Sequence, residues 1–235
     1  MEISVPHRWP ADEQEALRIQ EQLRPLLELD VAGPDEPRMI AGLDVSYATE
    51  SDRVAAAVVV LDARTLAVVD QATATGTAEF PYVPGLFAFR ELPTLMRALE
   101  GLSTVPDLLI CDGYGIAHPR RFGLACHVGV LTGLPSIGVG KTAFVGTSDP
   151  PGPHRGDSAA LRFDGETVGR ALRTRTGTKP VFVSVGHRTN LDTACRQVLA
   201  AAPRYRLPET TRLADRLSRD VLRADSGEPR ARGEC

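Results

Sequence analysis

The segment 39–75, MIAGLDVSYATESDRVAAAVVVLDARTLAVVDQATAT, contains three short runs rich in valine and alanine, separated by polar turns. The runs cover residues 39–48, 53–61 and 65–75. Valine favours strands, and turns this short join strands that lie side by side in opposite directions. The segment therefore predicts an antiparallel meander of three strands, with Asp44 inside the first strand.

The rest of the chain alternates between helical and strand-like patterns. Apolar residues at helical spacing predict one helix at about 10–29 and another at 86–102. The run 108–111 is wholly apolar and ends on Asp112, which is typical of a parallel strand buried on both faces. Residues 147–164 are rich in glycine, proline and polar residues, which predicts a loop. Further helices are predicted at about 121–131, 191–202 and 211–224, and strands at 136–139, 167–173 and 180–185. This order predicts an α/β fold with a mixed sheet.

Length and composition indicate one globular domain over residues 1–235, with a disordered tail at about 225–235. Hydrophobic residues make up 43% of the chain, and the formal net charge is −3. This charge argues against a protein that coats nucleic acid non-specifically, but it permits a local binding site. The chain has no signal sequence, no apolar run that could cross a bilayer and no CxxC pair. We therefore expect a cytoplasmic protein that does not bind membranes. We also expect it to be a monomer.

Asp44 and Asp112 are carboxylates within or at the tip of apolar strands. A strand-end cap or an ion pair is the ordinary explanation for a single such residue. Two of them on neighbouring strands favour a shared divalent cation, because their like charges repel. Oxygen ligands favour Mg²⁺, for which Mn²⁺ can substitute. Glu91, near the start of the second helix, is either a further ligand or a residue favoured by the helix dipole.

The glycine-rich stretch behind the 108–111 strand contains several candidate binding residues. Gly113 and Gly115 let the backbone approach a ligand closely. A dinucleotide-binding loop is excluded, because His118 stands where that motif requires glycine. His118 orients a phosphate, binds metal or simply fills a loop, and Arg120 with its neighbour Arg121 offers positive charge to phosphates.

Two other stretches each have an ordinary and a functional interpretation. Lys141 follows a glycine-rich turn, but a P-loop is excluded because Pro135 stands where it needs glycine. A phosphate-facing role for Lys141 is favoured over a merely solvated one. The segment 80–85, FPYVPG, is either a hydrophobic linker or a wedge that enters an unstacked duplex.

In combination these stretches resemble the endonuclease V family of deoxyinosine 3′ endonucleases, which has a ribonuclease-H-like fold. The resemblance spans about residues 10–220 in the family's order. The matching blocks are 42–47 (GLDVSY), 81–91, 112–123, 137–141 (IGVGK), 183–188 (VSVGHR) and 205–215.

The resemblance implies a role for each matching residue. The acidic metal-binding set would be Asp44, Glu91, Asp112 and Asp215. The residues that act in catalysis would be Asp44, Glu91 and Asp112, supported by His118 and Lys141. Tyr82 would fill the gap left by an extruded base. The other substrate-binding residues would be Pro81, Pro84, Arg90, Gly113, Gly115 and Arg120.

The sequence departs from the family pattern at three positions. Tyr114 stands where a smaller or more polar residue is expected, which bears on the width of the base pocket. Gly140 stands where alanine is commoner, and Val185 where proline is commoner. None of the three is a carboxylate.

The resemblance also implies a reaction. The family recognises deoxyinosine (hypoxanthine) in DNA and hydrolyses the second phosphodiester bond 3′ to it, leaving 3′-hydroxyl and 5′-phosphate ends. Two alternatives stay open at this point. One is an inosine-specific endoribonuclease that acts on single-stranded RNA, and the other is a protein that binds the lesion without cutting.

Overall fold

The computed structural model describes residues 3, 5–29 and 31–225. Within these residues the strands are β1 (Met39–Tyr47), β2 (Arg53–Asp62), β3 (Val68–Thr77), β4 (Leu108–Asp112), β5 (Ser136–Gly140), β6 (Ser158–Phe163), β7 (Glu166–Leu172) and β8 (Val181–His187). The α-helices are α1 (Glu13–Leu23), α2 (Ala88–Glu100), α3 (Leu124–Thr132), α4 (Leu191–Ala201) and α5 (Glu209–Asp225), and a short 3-10 helix (Arg24–Leu26) follows α1. All strands join one mixed sheet in the order β3-β2-β1-β4-β5-β8-β7-β6, which confirms the predicted α/β class.

The predicted meander is present, with β1 antiparallel to β2 and β2 antiparallel to β3. Successive side chains of a strand point to opposite faces of its sheet. Val58 and Val60 of β2 pack in a cluster with residues of α2 and α3, whereas Val59 and Leu61 pack in a cluster with residues of α4 and α5. Helices therefore cover both faces of the sheet, which explains why β2 is apolar almost throughout.

The central strand β4 lies between β1 and β5 and runs parallel to both, as its apolar sequence predicts. The register of β1 and β4 pairs Leu43 with Cys111. Asp44 and Asp112 follow these residues directly, so they stand at the same edge of the sheet. Ligands of open α/β sheets bind at the carboxyl ends of the parallel strands, which is where these two aspartates lie.

Beyond β5 the sheet continues through three antiparallel strands, β8, β7 and β6. The predicted loop at 147–164 is therefore wrong for Ser158–Phe163, which forms β6. Asp164 and Gly165 join β6 to β7, and both have positive φ, at 51° and 80°. An Asp-Gly pair of this kind is typical of a two-residue hairpin turn. The loop was predicted from the composition of the whole segment. The many glycines and prolines of residues 147–157 outweighed the strand-like residues of the hairpin that follows them.

The last described residue is Asp225, which ends α5 and forms an ion pair with Arg53. The disordered tail at about 225–235 therefore stays a prediction. Residues 226–235 lie outside the described residues. In the part of the chain that the structure describes, no helix is both long and apolar enough to cross a membrane. The single domain, the monomeric state and the cytoplasmic location stay predictions.

Candidate active site

The four acidic side chains of the predicted metal-binding set line one cleft at the edge where β1 and β4 end. Asp44 comes from β1, and Asp112 is the last residue of β4. Glu91 lies in the first turn of α2, and Asp215 lies on α5. The cleft has a volume of about 1010 Å³, and Lys141, directly after β5, also lines it. The fold thus brings together five predicted site residues from five different parts of the chain.

Each of these carboxylates is oriented by a neighbouring side chain. The hydrogen bonds are those to Asp44 Oδ2 from Ser218 (2.7 Å), to Asp112 Oδ2 from Lys141 (2.6 Å), to Asp215 Oδ1 from Arg219 (2.7 Å) and to Glu91 Oε1 from Tyr47 (3.4 Å). The hydroxyl of Ser218 also lies 2.7 Å from that of Ser46, so a short hydroxyl chain leads to Asp44.

Burial and mutual repulsion oppose the ionisation of this cluster. Burial raises the pKa of Asp44 to about 6, against the hydrogen bond from Ser218, and the charges of Asp112 and Asp215 add to the rise. Burial also raises the pKa of Glu91 well above its ordinary value, and the charges of Asp44 and Asp112 contribute. Glu91 is only 6% exposed. The cluster is therefore under electrostatic strain whenever it is fully ionised.

The donor chemistry of the cluster fits a hard divalent cation, because every candidate ligand atom is a carboxylate oxygen. Among the described residues, however, no three His, Cys, Asp or Glu side chains already stand in an arrangement that holds a metal. The ammonium of Lys141 and the hydroxyl of Ser218 each engage one carboxylate oxygen, on Asp112 and Asp44 respectively. Cation binding would require these groups to share or release those oxygens.

A second, smaller pocket of about 410 Å³ opens beside the cleft, within the size range of small-ligand sites. The two share part of their wall, namely Phe87, Glu91, Asp112 and Lys141. Four other residues predicted from the resemblance also line the smaller pocket: Tyr82, Pro84, Gly113 and His118. A ligand in this pocket would lie directly against the carboxylate cleft.

The comparisons with known proteins decide the family. The family profile described as Endonuclease V matches residues 21–216. The chain belongs to the endonuclease V family. Endonuclease V of Streptomyces coelicolor is 58% identical over 222 residues, which cover 94% of this chain and 95% of the relative.

Solved structures of the endonuclease V family have the same fold. The crystal structure from Streptomyces avermitilis has a TM-score of 0.91 and 56% identity, and covers 94% of this chain and 98% of that one. The structure from Ciona intestinalis, in complex with a 24mer DNA containing an inosine followed by a ribo-adenosine, has a TM-score of 0.78 and 27% identity over 91% of this chain and all of that one. These matches confirm the resemblance and the predicted fold class.

Tyr114 and Gly140, two residues that were expected to depart from the family pattern, fit together in the structure. The ring of Tyr114 stacks on Phe144, with ring centroids 5.1 Å apart, and its hydroxyl donates to the carbonyl of Thr142. A Cβ at position 140 would lie 2.5 Å from this ring. Gly140 thus leaves the space that Tyr114 occupies, and the aromatic pair forms one wall of the pocket.

The structure does not place every predicted substrate-binding residue at the pocket wall. Arg90 and Arg120 line neither the cleft nor the pocket. Arg90 donates to the carbonyl of Phe80, and Arg120 donates to the carbonyl of Gly85. Both guanidinium groups therefore hold the backbone on either side of the segment that carries Tyr82.

Gly115 and Pro81 also lie off the pocket. A Cβ on Gly115 would meet the carbonyl oxygen of Val185 at 1.9 Å, so this glycine permits close packing against β8. Pro81 is exposed and lines neither the cleft nor the pocket.

Both ring nitrogens of His118 are used within the protein. Nδ1 accepts a hydrogen bond from the backbone N–H of Arg120 at 3.2 Å, so Nε2 carries the proton and donates to the carbonyl of Gly85 at 2.9 Å. Burial, with the charge of Arg120, lowers the pKa of His118 to about 4, so the ring is neutral near pH 7. This geometry supports a role in holding the loop more than a role in proton transfer.

Four residues that line or support the site were not predicted from the sequence: Gln20, Tyr47, Phe144 and Ser218. Ser218 follows Asp215 by three positions, which places it on the same face of α5. Gln20 is a buried polar residue on the apolar face of α1. The sequence shows both features, namely the spacing of Ser218 from Asp215 and the polar Gln20 on an apolar helix face. Neither feature indicates which carboxylate or carbonyl the side chain contacts.

Proposed function

We propose that the chain is a metal-dependent endonuclease that recognises deaminated bases, chiefly deoxyinosine, in DNA. It hydrolyses the second phosphodiester bond 3′ to the lesion and leaves 3′-hydroxyl and 5′-phosphate ends. The observation that carries this proposal is the wall shared by the acidic cleft and the pocket. A base in the pocket would hold its own strand against the carboxylates. Family membership and the inosine-containing DNA bound by the Ciona relative support the same conclusion.

The acidic cleft and the residues around it would carry the chemistry of the reaction. Mg²⁺, or Mn²⁺ in its place, would be held by Asp44, Glu91, Asp112 and Asp215, and would supply charge neutralisation and activation of water. Ser218 holds the Asp44 carboxylate in one orientation. The ammonium of Lys141, beside Asp112, offers donors to a non-bridging phosphate oxygen.

Selection for the lesion comes from the cost of extruding a base. A weakly paired base such as hypoxanthine is extruded more easily than a normally paired one. The pocket then receives the base, with Tyr114 and Phe144 as an aromatic wall. Tyr82 is 71% exposed at the pocket mouth, where an apolar side chain can enter the vacated stack.

The direct test is cleavage of a duplex that contains one deoxyinosine, with Mg²⁺ and with EDTA. We expect one nick at the second phosphodiester bond 3′ to the lesion, only with the cation, and none in the matched adenosine duplex. Cleavage that EDTA leaves undiminished would exclude the metal-dependent reaction. Binding of the inosine duplex with no nick under any cation would support the lesion-binding alternative.

The raised pKa of Asp44, caused first by burial and then by repulsion within the cluster, predicts a pH-dependent affinity for Mg²⁺. The folded-state pKa of Asp44, about 6, lies above its ordinary value of 3.8. Stability from this group is therefore complete below pH 3.8 and is lost as pH rises through about 6. A cation binds the ionised form and restores that stability. Mg²⁺ should thus raise the melting temperature more at about pH 7.5 than at about pH 5.

Thermal unfolding with and without MgCl₂ at these two pH values measures the effect. An Asp44→Asn variant serves as the control, because the part of the pH difference that comes from Asp44 should disappear with this titrating group, while the part that comes from Glu91 remains. Equal Mg²⁺-induced shifts at both pH values in the wild type would contradict the linkage.

An inosine-specific endoribonuclease is the second candidate function. The DNA bound by the Ciona relative carries a ribo-adenosine after the inosine, so that family member accommodates a ribose next to the lesion. Matched inosine strands of DNA and RNA, cleaved side by side, distinguish the two substrates. Faster cleavage of single-stranded RNA than of DNA would make the endoribonuclease the main function.

A further inference from the structure

The wedge loop, residues 81–84 (PYVP), is held at both ends through backbone carbonyls. At its N-terminal end Arg90 donates to the carbonyl of Phe80 at 2.7 Å. At its C-terminal end three side chains converge on the carbonyl of Gly85, namely Gln20, His118 and Arg120. A carbonyl oxygen with several donors around it has little freedom to reorient.

The carbonyl of Gly85 belongs to a turn at the end of the wedge loop, so its orientation affects the path of the loop. The N–H of Leu86 donates to the carbonyl of Val83 at 2.9 Å, and Gly85 has a φ of +82°. Pro84 and Gly85 at the two central positions are the signature of a type II turn. Rotation of the Gly85 peptide would open this turn and move the loop that precedes it.

Gln20 is the residue that links this turn to the rest of the protein. It is 1% exposed, and the other buried residues of α1 are apolar. Its Nε2 donates to the carbonyls of Gly85 and Phe122, each at 3.1 Å, while its Oε1 accepts from Nε of Arg120. One buried amide therefore ties together the wedge loop, the segment behind β4 and Arg120.

Tyr82 itself has little side-chain packing to fix its position. Its ring is 71% exposed and meets Phe87 edge-on, with ring centroids 5.5 Å apart. The placement of this ring must therefore come from the backbone of the wedge loop.

We propose that Gln20 is a positioning residue that sets the wedge loop, so that Tyr82 enters the gap left by an extruded base. This inference rests on the proposed function. If the inference holds, cleavage depends most on Gln20 in a duplex, because only there does a gap between stacked bases have to be filled. A single strand presents no such gap, so its cleavage should depend much less on Gln20.

The test compares Gln20→Met with a matched variant, Gln197→Met. Gln197 is also a buried glutamine, and its Nε2 also donates to two backbone carbonyls, those of Pro34 and Asp35. Both substitutions remove the same kind of hydrogen bond, so both should lower the melting temperature. Only Gln20→Met should lower kcat/KM on inosine duplex, by about tenfold, while single-strand cleavage changes by less than about twofold.

A double-mutant cycle with Tyr82→Ala tests whether Gln20→Met lowers duplex cleavage through Tyr82. Once Tyr82 is removed, Gln20→Met should lower duplex cleavage by less than about twofold further, because no wedge is left to position. Hydrogen exchange of residues 80–86 should also accelerate in Gln20→Met and stay unchanged in Gln197→Met. The exchange measurement needs no activity. If Gln20→Met does not fold, Gln20→Glu keeps the acceptor for Arg120 and removes the donor to Gly85.

Several outcomes would overturn the inference. Equal losses on duplex and single strand, a full tenfold loss that persists without Tyr82, or unchanged exchange of residues 80–86 would each exclude a positioning role. Failure of the proposed function is distinct, because the wild type itself would then leave inosine strands uncut.

Discussion

Asp44→Asn is expected to lower cleavage of an inosine duplex by at least about a thousandfold, while the metal-free protein becomes no less stable. Asparagine has nearly the same shape and its amide oxygen can still accept from Ser218. It carries no charge, so it removes both the cost of burying a carboxylate and the repulsion from Asp112 and Asp215, which together raise the pKa of Asp44. Loss of activity with equal or higher stability is the signature of a residue kept for chemistry.

Cleavage rates over a range of Mg²⁺ concentrations and melting temperatures in EDTA measure the two halves of this prediction. Asp35→Asn is the matched control, because Asp35 is 79% exposed and pairs only with Arg196 among the ion pairs of the described residues. That variant should retain wild-type cleavage. A marked fall in the melting temperature of Asp44→Asn would show instead that the carboxylate stabilises the fold.

The core of the site was predictable because its chemistry conflicts with its local structure. Asp44 and Asp112 are carboxylates in apolar strands, and that conflict alone indicates a purpose. Parallel pairing of β1 with β4 then places them at one edge. Asp215 is different, since an aspartate on a charged helix has no such conflict. It entered the prediction only through the family resemblance, because α5 returns to β1 by tertiary packing.

The surroundings of the wedge loop could not be predicted in the same way. Arg90, Arg120 and His118 carry groups that suit phosphates, but the structure places their donors on backbone carbonyls. A backbone carbonyl is present at every position of the chain, so no sequence pattern marks which one a guanidinium will meet. The strand β6 was missed for a related reason, since a polar, glycine-rich segment before it masked a short hairpin.

Lys141→Met is expected to lower kcat by about a hundredfold without weakening the binding of Mg²⁺. The ammonium of Lys141 lies 2.6 Å from Asp112 Oδ2 and lines both the cleft and the pocket. If it faces phosphate during the reaction, its loss removes a donor to the developing charge. The same loss frees an oxygen of Asp112 and makes the cluster more negative, so cation affinity should stay the same or rise.

A fall in kcat without a fall in Mg²⁺ affinity distinguishes a phosphate-facing role of Lys141 from a role in orienting Asp112. If its main role were to orient Asp112 as a ligand, its loss would weaken Mg²⁺ binding together with kcat, and added Mg²⁺ would restore the rate. The chain offers a sharp control, since Lys179 is the only other lysine. Lys179→Met should leave both quantities unchanged. Mg²⁺ titration by calorimetry and single-turnover cleavage measure them independently, and rescue of Lys141→Met by excess Mg²⁺ would contradict a phosphate-facing ammonium.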